Sequence, residues 1–291
     1  MERVSISVIQ YEQFPIKEIR DFYYEIDYYL DLISKSNFII FPEAFSMQLI
    51  TALKEESLEK RFRKIAEEHY SKITNYFREK ACKLNSCIIA GSHPKIINGK
   101  MFNVSPICMP NKNVYEQIKI HLTSPEKLWN YNEGDSVKVF SYNGIKFGVS
   151  ICYDIEFPEL SRYMSIKGAK IIFCPSYTTS EHGFWRVRFS CHSRAIENQA
   201  YVVHSANYGD IGIPELRAYG ASAIISPCIE PYPPNGLLIE GNKNRREVVS
   251  YEVNLKILDE IRKAGIVTNI DDSIKHLELY LKLYEDLKRI S

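Results

Sequence analysis

Three residues in this chain have types and settings that suggest chemistry. The first is Cys152. The apolar run 147–151 ends on it, Tyr153, Asp154 and Glu156 follow at once, and Phe157-Pro158-Glu159-Leu160 reads as a helix entry, with proline in the first turn and an acid at the positive end of the dipole. A thiol at such a junction sits at the carboxyl end of a strand, beside backbone N–H groups, where α/β proteins place reactive groups. The second is Glu43, directly after the apolar run 38–41 and Pro42. An acid just past a buried strand end is unusual, because burying a carboxylate is costly. The third is Lys119, in the alternating stretch 114–121. There Tyr115, Gln117, Lys119 and His121 share a polar face of an expected central strand. An acid, a base and a thiol arranged in this way suggest acyl transfer through a covalent thioester. Four histidines, His121, His182, His192 and His204, are candidates for a partner to the thiol, but nothing in the sequence aims any of them at Cys152.

The elements that must position these residues follow from periodicity. Residues 4–10, 38–41, 87–90, 101–109, 114–121, 137–142, 145–151, 170–174, 201–206, 221–226, 236–240 and 247–253 read as strands, with Asn143-Gly144 as a hairpin turn. Apolar residues recur at helical spacing over 16–33, 56–84, 185–199, 255–264 and 272–290, and a further helix follows Pro158 to near Gly168. Residues 122–135 have loop chemistry, and so do 178–184. Strands and helices alternate throughout, without repeats or linkers, which predicts one α/β domain over 1–291.

Composition excludes several classes. The 291 residues carry 37 basic and 36 acidic side chains, a net charge of +1, so neither a nucleic-acid surface nor a polybasic membrane patch is indicated. The longest apolar stretches fall far short of the ~20 residues a membrane span needs. The N-terminus, MERVSISVIQ, reads as a first strand and not as a signal peptide. The seven cysteines, Cys82, Cys87, Cys108, Cys152, Cys174, Cys191 and Cys228, are odd in number and lack zinc spacing. That predicts a cytoplasmic protein with free thiols, most of them core fillers, and with no metal or cofactor.

Phe41-Pro42-Glu43, Lys119-Ile120-His121-Leu122 and Gly148-Val149-Ser150-Ile151-Cys152-Tyr153-Asp154, in that order and at those separations, resemble the nitrilase superfamily of carbon–nitrogen hydrolases. Residues 193–199 and 201–203 also look like the family's helix and following strand. The resemblance runs from about residue 3 to about 254, leaving about 255–291 as a helical extension. It implies a four-layer α-β-β-α sandwich, paired into homodimers through helices. It also implies roles: Cys152 as nucleophile, Glu43 as general base, Lys119 as the cation beside the oxyanion, and Glu126, seven residues after the lysine, as a second glutamate.

The chemistry expected of these residues is consistent with those roles. Glu43 takes the thiol proton, returns it to the departing nitrogen, then activates water, and the backbone N–H of Tyr153 joins Lys119 at the oxyanion. Tyr153-Asp154 after the cysteine looks more like the amidase branches than the nitrile-cleaving ones, which usually carry Trp-Glu. A small-molecule amide is therefore the expected substrate. Nitrile, N-carbamoyl (ureido) and acyl-transfer chemistry remain alternatives, as does a catalytically silent binding or scaffold member. Tyr177, Glu181, His182 and Trp185, placed on the loop after the next strand, are candidates for lining the pocket. Arg188 and Arg194 are candidates for binding a substrate carboxylate.

Overall fold

The computed structural model describes residues 2–54 and 57–289. Among the described residues, fourteen strands form one continuous sheet: β1 (Arg3–Gln13), β2 (Phe38–Phe41), β3 (Cys87–Ala90), β4 (His93–Ile97), β5 (Lys100–Cys108), β6 (Val114–Ile118), β7 (Tyr131–Asn132), β8 (Val139–Tyr142), β9 (Ile145–Val149), β10 (Ile171–Ser176), β11 (Tyr201–Gly209), β12 (Ala223–Ile225), β13 (Leu237–Glu240) and β14 (Glu247–Asn254). Its main path runs β4-β5-β3-β2-β1-β11-β10-β9-β8. β1 is the hinge of the curl. Its middle pairs in parallel with β2 through Ile6–Val8 and antiparallel with β14, whereas only its end, Tyr11 to Gln13, pairs with β11. The two halves can therefore turn face to face.

Period-two alternation then sorts the side chains into layers. Phe38 and Ile40 point between the halves, where Phe38 meets Phe147 and Phe173 with ring centroids 5.1 and 5.3 Å apart. Ile39 and Phe41 point outward, under α1 (Ile19–Asp31), α2 (Leu58–Lys64) and α3 (Tyr70–Leu84). On the far side, Ile172, Cys174 and Val202 lie with Val187, Cys191 and Ala195 of a long helix. The result is the α-β-β-α sandwich.

Several elements differ from the sequence expectation. The helix expected over 56–84 is seen as α2 and α3 joined through a π turn at Ile65–His69, and residue 56 lies outside the described residues. β4 was not anticipated. It pairs with β5 across Asn98-Gly99, whose positive φ values of 50° and 78° make a tight hairpin turn. β6 is not central, since its one partner among the described residues is β5, and it ends at Ile118, one residue before Lys119. The loop at 122–135 contains α4 (Ser124–Leu128) and β7. After Cys152 comes a 3-10 turn, Cys152–Glu156, before α5 (Pro158–Ile166) opens with proline in its first turn. The helix expected from 185 starts earlier, as α6 (Glu181–Asn198), because Ser180 accepts the Gly183 N–H at 3.1 Å and caps it. α7 (Leu255–Ala264) matches expectation. The stretch expected over 272–290 divides into α8 (Asn269–Lys275) and α9 (Leu277–Lys288), and residue 290 lies outside the described residues.

Candidate active site

Glu43, Lys119, Glu126 and Cys152 converge on one cavity of about 510 Å³ at the end of the sandwich, and all four are at least nine-tenths buried. Each is carried there by a local device. Glu43 follows β2, and Ala44 after it is held at φ 48°, a conformation in which a non-glycine residue stores strain. Gly91 makes room for that loop. It has φ +67°, and a Cβ there would lie 2.1 Å from the Pro42 carbonyl oxygen. Lys119 leaves β6 on the side that carries Gln117. That polar side is the buried one, because Gln117 hydrogen-bonds the carbonyls of Ile118 and Ser136 and Lys119 reaches two carboxylates. Glu126 closes a capping box with Thr123, accepting from the Thr123 N–H at 2.9 Å and its hydroxyl at 2.8 Å. Cys152 itself sits at φ 47°, so the strand end turns sharply at the thiol.

The polar groups form a cage. Lys119 Nζ lies 2.7 Å from Glu43 Oε1 and 2.7 Å from Glu126 Oε2. Asn103 Nδ2 donates to Glu43 Oε1 at 3.0 Å and to Glu126 Oε1 at 2.9 Å. The Tyr177 N–H donates to Glu43 Oε2 at 2.9 Å, and the Tyr177 carbonyl lies 3.7 Å from Cys152 Sγ. Asp154, 2% exposed, ties the cysteine turn to the lysine strand: it accepts from the backbone N–H of Ile120 at 3.2 Å and of His121 at 2.7 Å.

Electrostatics separate the two glutamates. Burial raises the Glu43 pKa, against the pull of Lys119, and the neighbouring charge of Glu126 adds to the rise. Burial also opposes ionisation of Glu126, but Lys119, Asn103 and Thr123 outweigh it and hold its carboxyl below the ordinary value. Burial works against the Lys119 ammonium as well, yet the two carboxylates keep its pKa well above normal. Burial, with the charge of Glu43, pushes the Cys152 thiol well up. At rest the site therefore holds a neutral thiol beside a carboxylate with raised proton affinity. Cys152 opens a five-residue 3-10 turn and not an α-helix, so no α-helix dipole begins at the thiol.

The candidate lining residues divide. Tyr153, Tyr177 and His182 line the cavity, with His182 in the first turn of α6 and not on a loop. Trp185 does not. It stacks on Phe189 outside, with Lys243 over its ring and Glu181 at its indole nitrogen. Arg188 and Arg194 are structural: Arg188 is 2% exposed and bonded to His204 and Glu240, and Arg194 bonds the carbonyls of Ile155 and Glu156. Of the histidines, His121 stacks on Phe157 and meets Asp154, while His204 is bonded to Ser176 and Arg188. The sequence reading did not assign Asn103 to the site. Its signal was a polar amide within the otherwise largely apolar run 101–109. Thr123-x-x-Glu126 carried a capping-box signature that would have fixed Glu126 more firmly. Among the described residues there is no cluster of three or more side chains able to hold a metal, and no helix is long and apolar enough to cross a membrane.

The α-β-β-α sandwich is that of the nitrilase superfamily. The chain belongs to the carbon-nitrogen hydrolase family, which it matches over residues 8–263, a span that reaches into α7. It is 38% identical over 274 residues to the probable hydrolase YhcX of Bacillus subtilis, a match that covers 92% of this chain and 53% of that protein, so the chain spans about half of that relative's length. It is 30% identical over 213 residues to the omega-amidase NIT2 of Xenopus tropicalis, covering 70% of this chain and 74% of that one. Among solved structures, Nit3 of Saccharomyces cerevisiae superposes with a TM-score of 0.76 at 22% identity, covering 92% of this chain and 96% of that chain, a likeness of fold.

Proposed function

We propose that the protein hydrolyses the C–N bond of a small amide through a thioester on Cys152. The observation that carries this reading is the buried carboxylate of Glu43 sharing Tyr177 with the thiol: the N–H of that residue binds the acid, and its carbonyl faces the sulfur. The Cys152 sulfur attacks the amide carbon as its proton passes to Glu43, a transfer favoured by the raised proton affinity of that carboxyl. Lys119 Nζ and the Tyr153 N–H stabilise the oxyanion. The C–N bond breaks as Glu43 returns the proton to nitrogen, and ammonia or an amine leaves. Water then attacks the thioester, giving its proton to Glu43. The C–S bond breaks, the carboxylic acid departs and the proton goes back to sulfur. Glu126 stays ionised throughout and keeps Lys119 charged and in place. The omega-amidase relative supports an amide over a nitrile.

A panel of small amides is expected to release ammonia, with an acyl mass on Cys152 of the parent in samples quenched during turnover, and Glu43→Gln is expected to slow both by at least ~10²-fold. The Cys152→Ser variant is expected to lose activity by at least ~10³-fold. Absence of ammonia, amine release and adduct across amides, nitriles and carbamoyl compounds, or a serine variant as active as the parent, rules the reading out.

A further inference from the structure

Asn103 touches three of the four residues of the cage. Its carbonyl oxygen accepts the Lys119 backbone N–H at 2.9 Å, and its side-chain Nδ2 donates to both Glu43 and Glu126. It is 5% exposed and lies on β5, in register with Pro94 of β4 and joined to β6. Like Lys119, its side chain bonds both carboxylates. Only the nitrogen end of the amide can face two carboxylate oxygens, since an oxygen there would meet acceptors alone. Lys119 supplies a charge but three rotatable donors, whereas an amide on a paired strand supplies fixed geometry.

We infer that Asn103 is a positioning residue of the reaction. It pins Glu43 Oε1 against Glu126 while the Tyr177 N–H pins Oε2, so that the carboxylate cannot turn away from Cys152. This rests on the reading of Glu43 as proton acceptor. Two like charges in one buried site repel, and each is held in its ionised form by the hydrogen bonds it accepts. Removing the amide donor makes the ionised Glu43 less favourable and lets it rotate. The acid limb of the rate then moves to higher pH and kcat falls, while substrate affinity changes little.

The test compares wild type with Asn103→Leu, which keeps the size and loses the donor, and Asn103→Asp, which keeps the shape and adds a third acid. Two pH profiles are read: turnover of an amide the wild type hydrolyses, and alkylation of Cys152 by iodoacetamide, followed by mass on the Cys152 peptide so that exposed Cys82 and Cys228 do not interfere. Both variants are expected to lose ~10- to 100-fold in kcat, with KM within ~3-fold and the acid limb of both profiles displaced upward. Unshifted limbs in either folded variant overturn the inference, whatever the loss of rate. So does an equal rise in KM with kcat unchanged. If Asn103→Leu does not fold, Asn103→Asp decides alone. The alkylation profile needs no substrate, so a wild type that alkylates but hydrolyses no amide would sink the amidase reading without touching the role of Asn103.

Discussion

Glu43 and Glu126 are chemically identical side chains bridged by the same lysine, and their surroundings give them opposite tendencies. Glu126 accepts from Lys119, Asn103 and both donors of Thr123, whereas Glu43 accepts from Lys119, Asn103 and one backbone N–H. The better-supplied acid stays ionised and the other becomes the proton carrier. Turnover requires ionised Glu43, so kcat/KM falls as pH drops through its raised pKa. Cys152 and Lys119 are both held well above their ordinary values of 9.0 and 10.5, so no alkaline limb is expected near pH 9.0. Glu126→Gln removes a charge that raises the Glu43 pKa, and leaves Lys119 to Glu43 alone. The acid limb is therefore expected to move to lower pH, opposite to the Asn103 variants, with activity down at least ~10-fold because Lys119 is less well held. A limb that stays put or rises would show that Glu126 does not set the proton affinity of Glu43.

At the scale of elements, the site depends on two strand ends that turn abruptly. β2 delivers Glu43 only because the residue that follows β3 is a glycine. At Gly91 a side chain would need a left-handed conformation and would also run into the Pro42 carbonyl. Gly91→Ala is expected to cost more than ~1–2 kcal/mol in a urea unfolding titration and to lower kcat as Pro42 and Glu43 shift. An alanine variant with parental stability and rate would remove Gly91 from this account. The second turn, at Cys152, is held from outside by Asp154, which satisfies two backbone donors just after Lys119. The nucleophile turn and the lysine strand belong to opposite halves of the sandwich, so this carboxylate fixes their spacing.

The whole molecule has a face that the sandwich does not use. α9 shows Leu277, Leu279, Tyr280, Leu281, Leu283, Tyr284 and Leu287 exposed, and Tyr163 and Ile166 of α5 and Phe189 and Ile196 of α6 are exposed as well. α8 packs on α5 and α6, and Tyr284 hydrogen-bonds Glu159, so these apolar groups neighbour one another. A surface of this kind is ordinarily covered by association. We expect a homodimer paired through these helices. Light scattering at micromolar concentration is predicted to give twice the chain mass, and deletion of 269–291 to lower it while the unfolding temperature stays within a few degrees, since α8 and α9 contribute no buried side chain. A full-length monomer would exclude this pairing.

The sequence alone determined the strand that leads to Cys152, the Asn143-Gly144 hairpin, and Glu43 and Lys119 as candidates. These features are local: apolar runs, turn residues, and polar groups where an apolar neighbourhood penalises them. It misjudged β6 as central, because alternation gives faces but not neighbours, and which face is buried depends on what packs there. It placed Trp185 in the pocket for a similar reason. Ser180 starts α6 earlier than the apolar pattern does, and Trp185 on that helix stacks on Phe189 outside the cavity. What only the tertiary structure decided is the cage. Asn103, Lys119, Glu126 and Glu43 come from separate strands and loops of one half of the sheet and meet at 2.7–3.0 Å, and Cys152 and Tyr177 come from the other half, brought beside them because the sheet curls at the end of β1. The proton affinities that distinguish Glu43 from Glu126 arise from burial and from shared donors, and no stretch of sequence encodes either by itself.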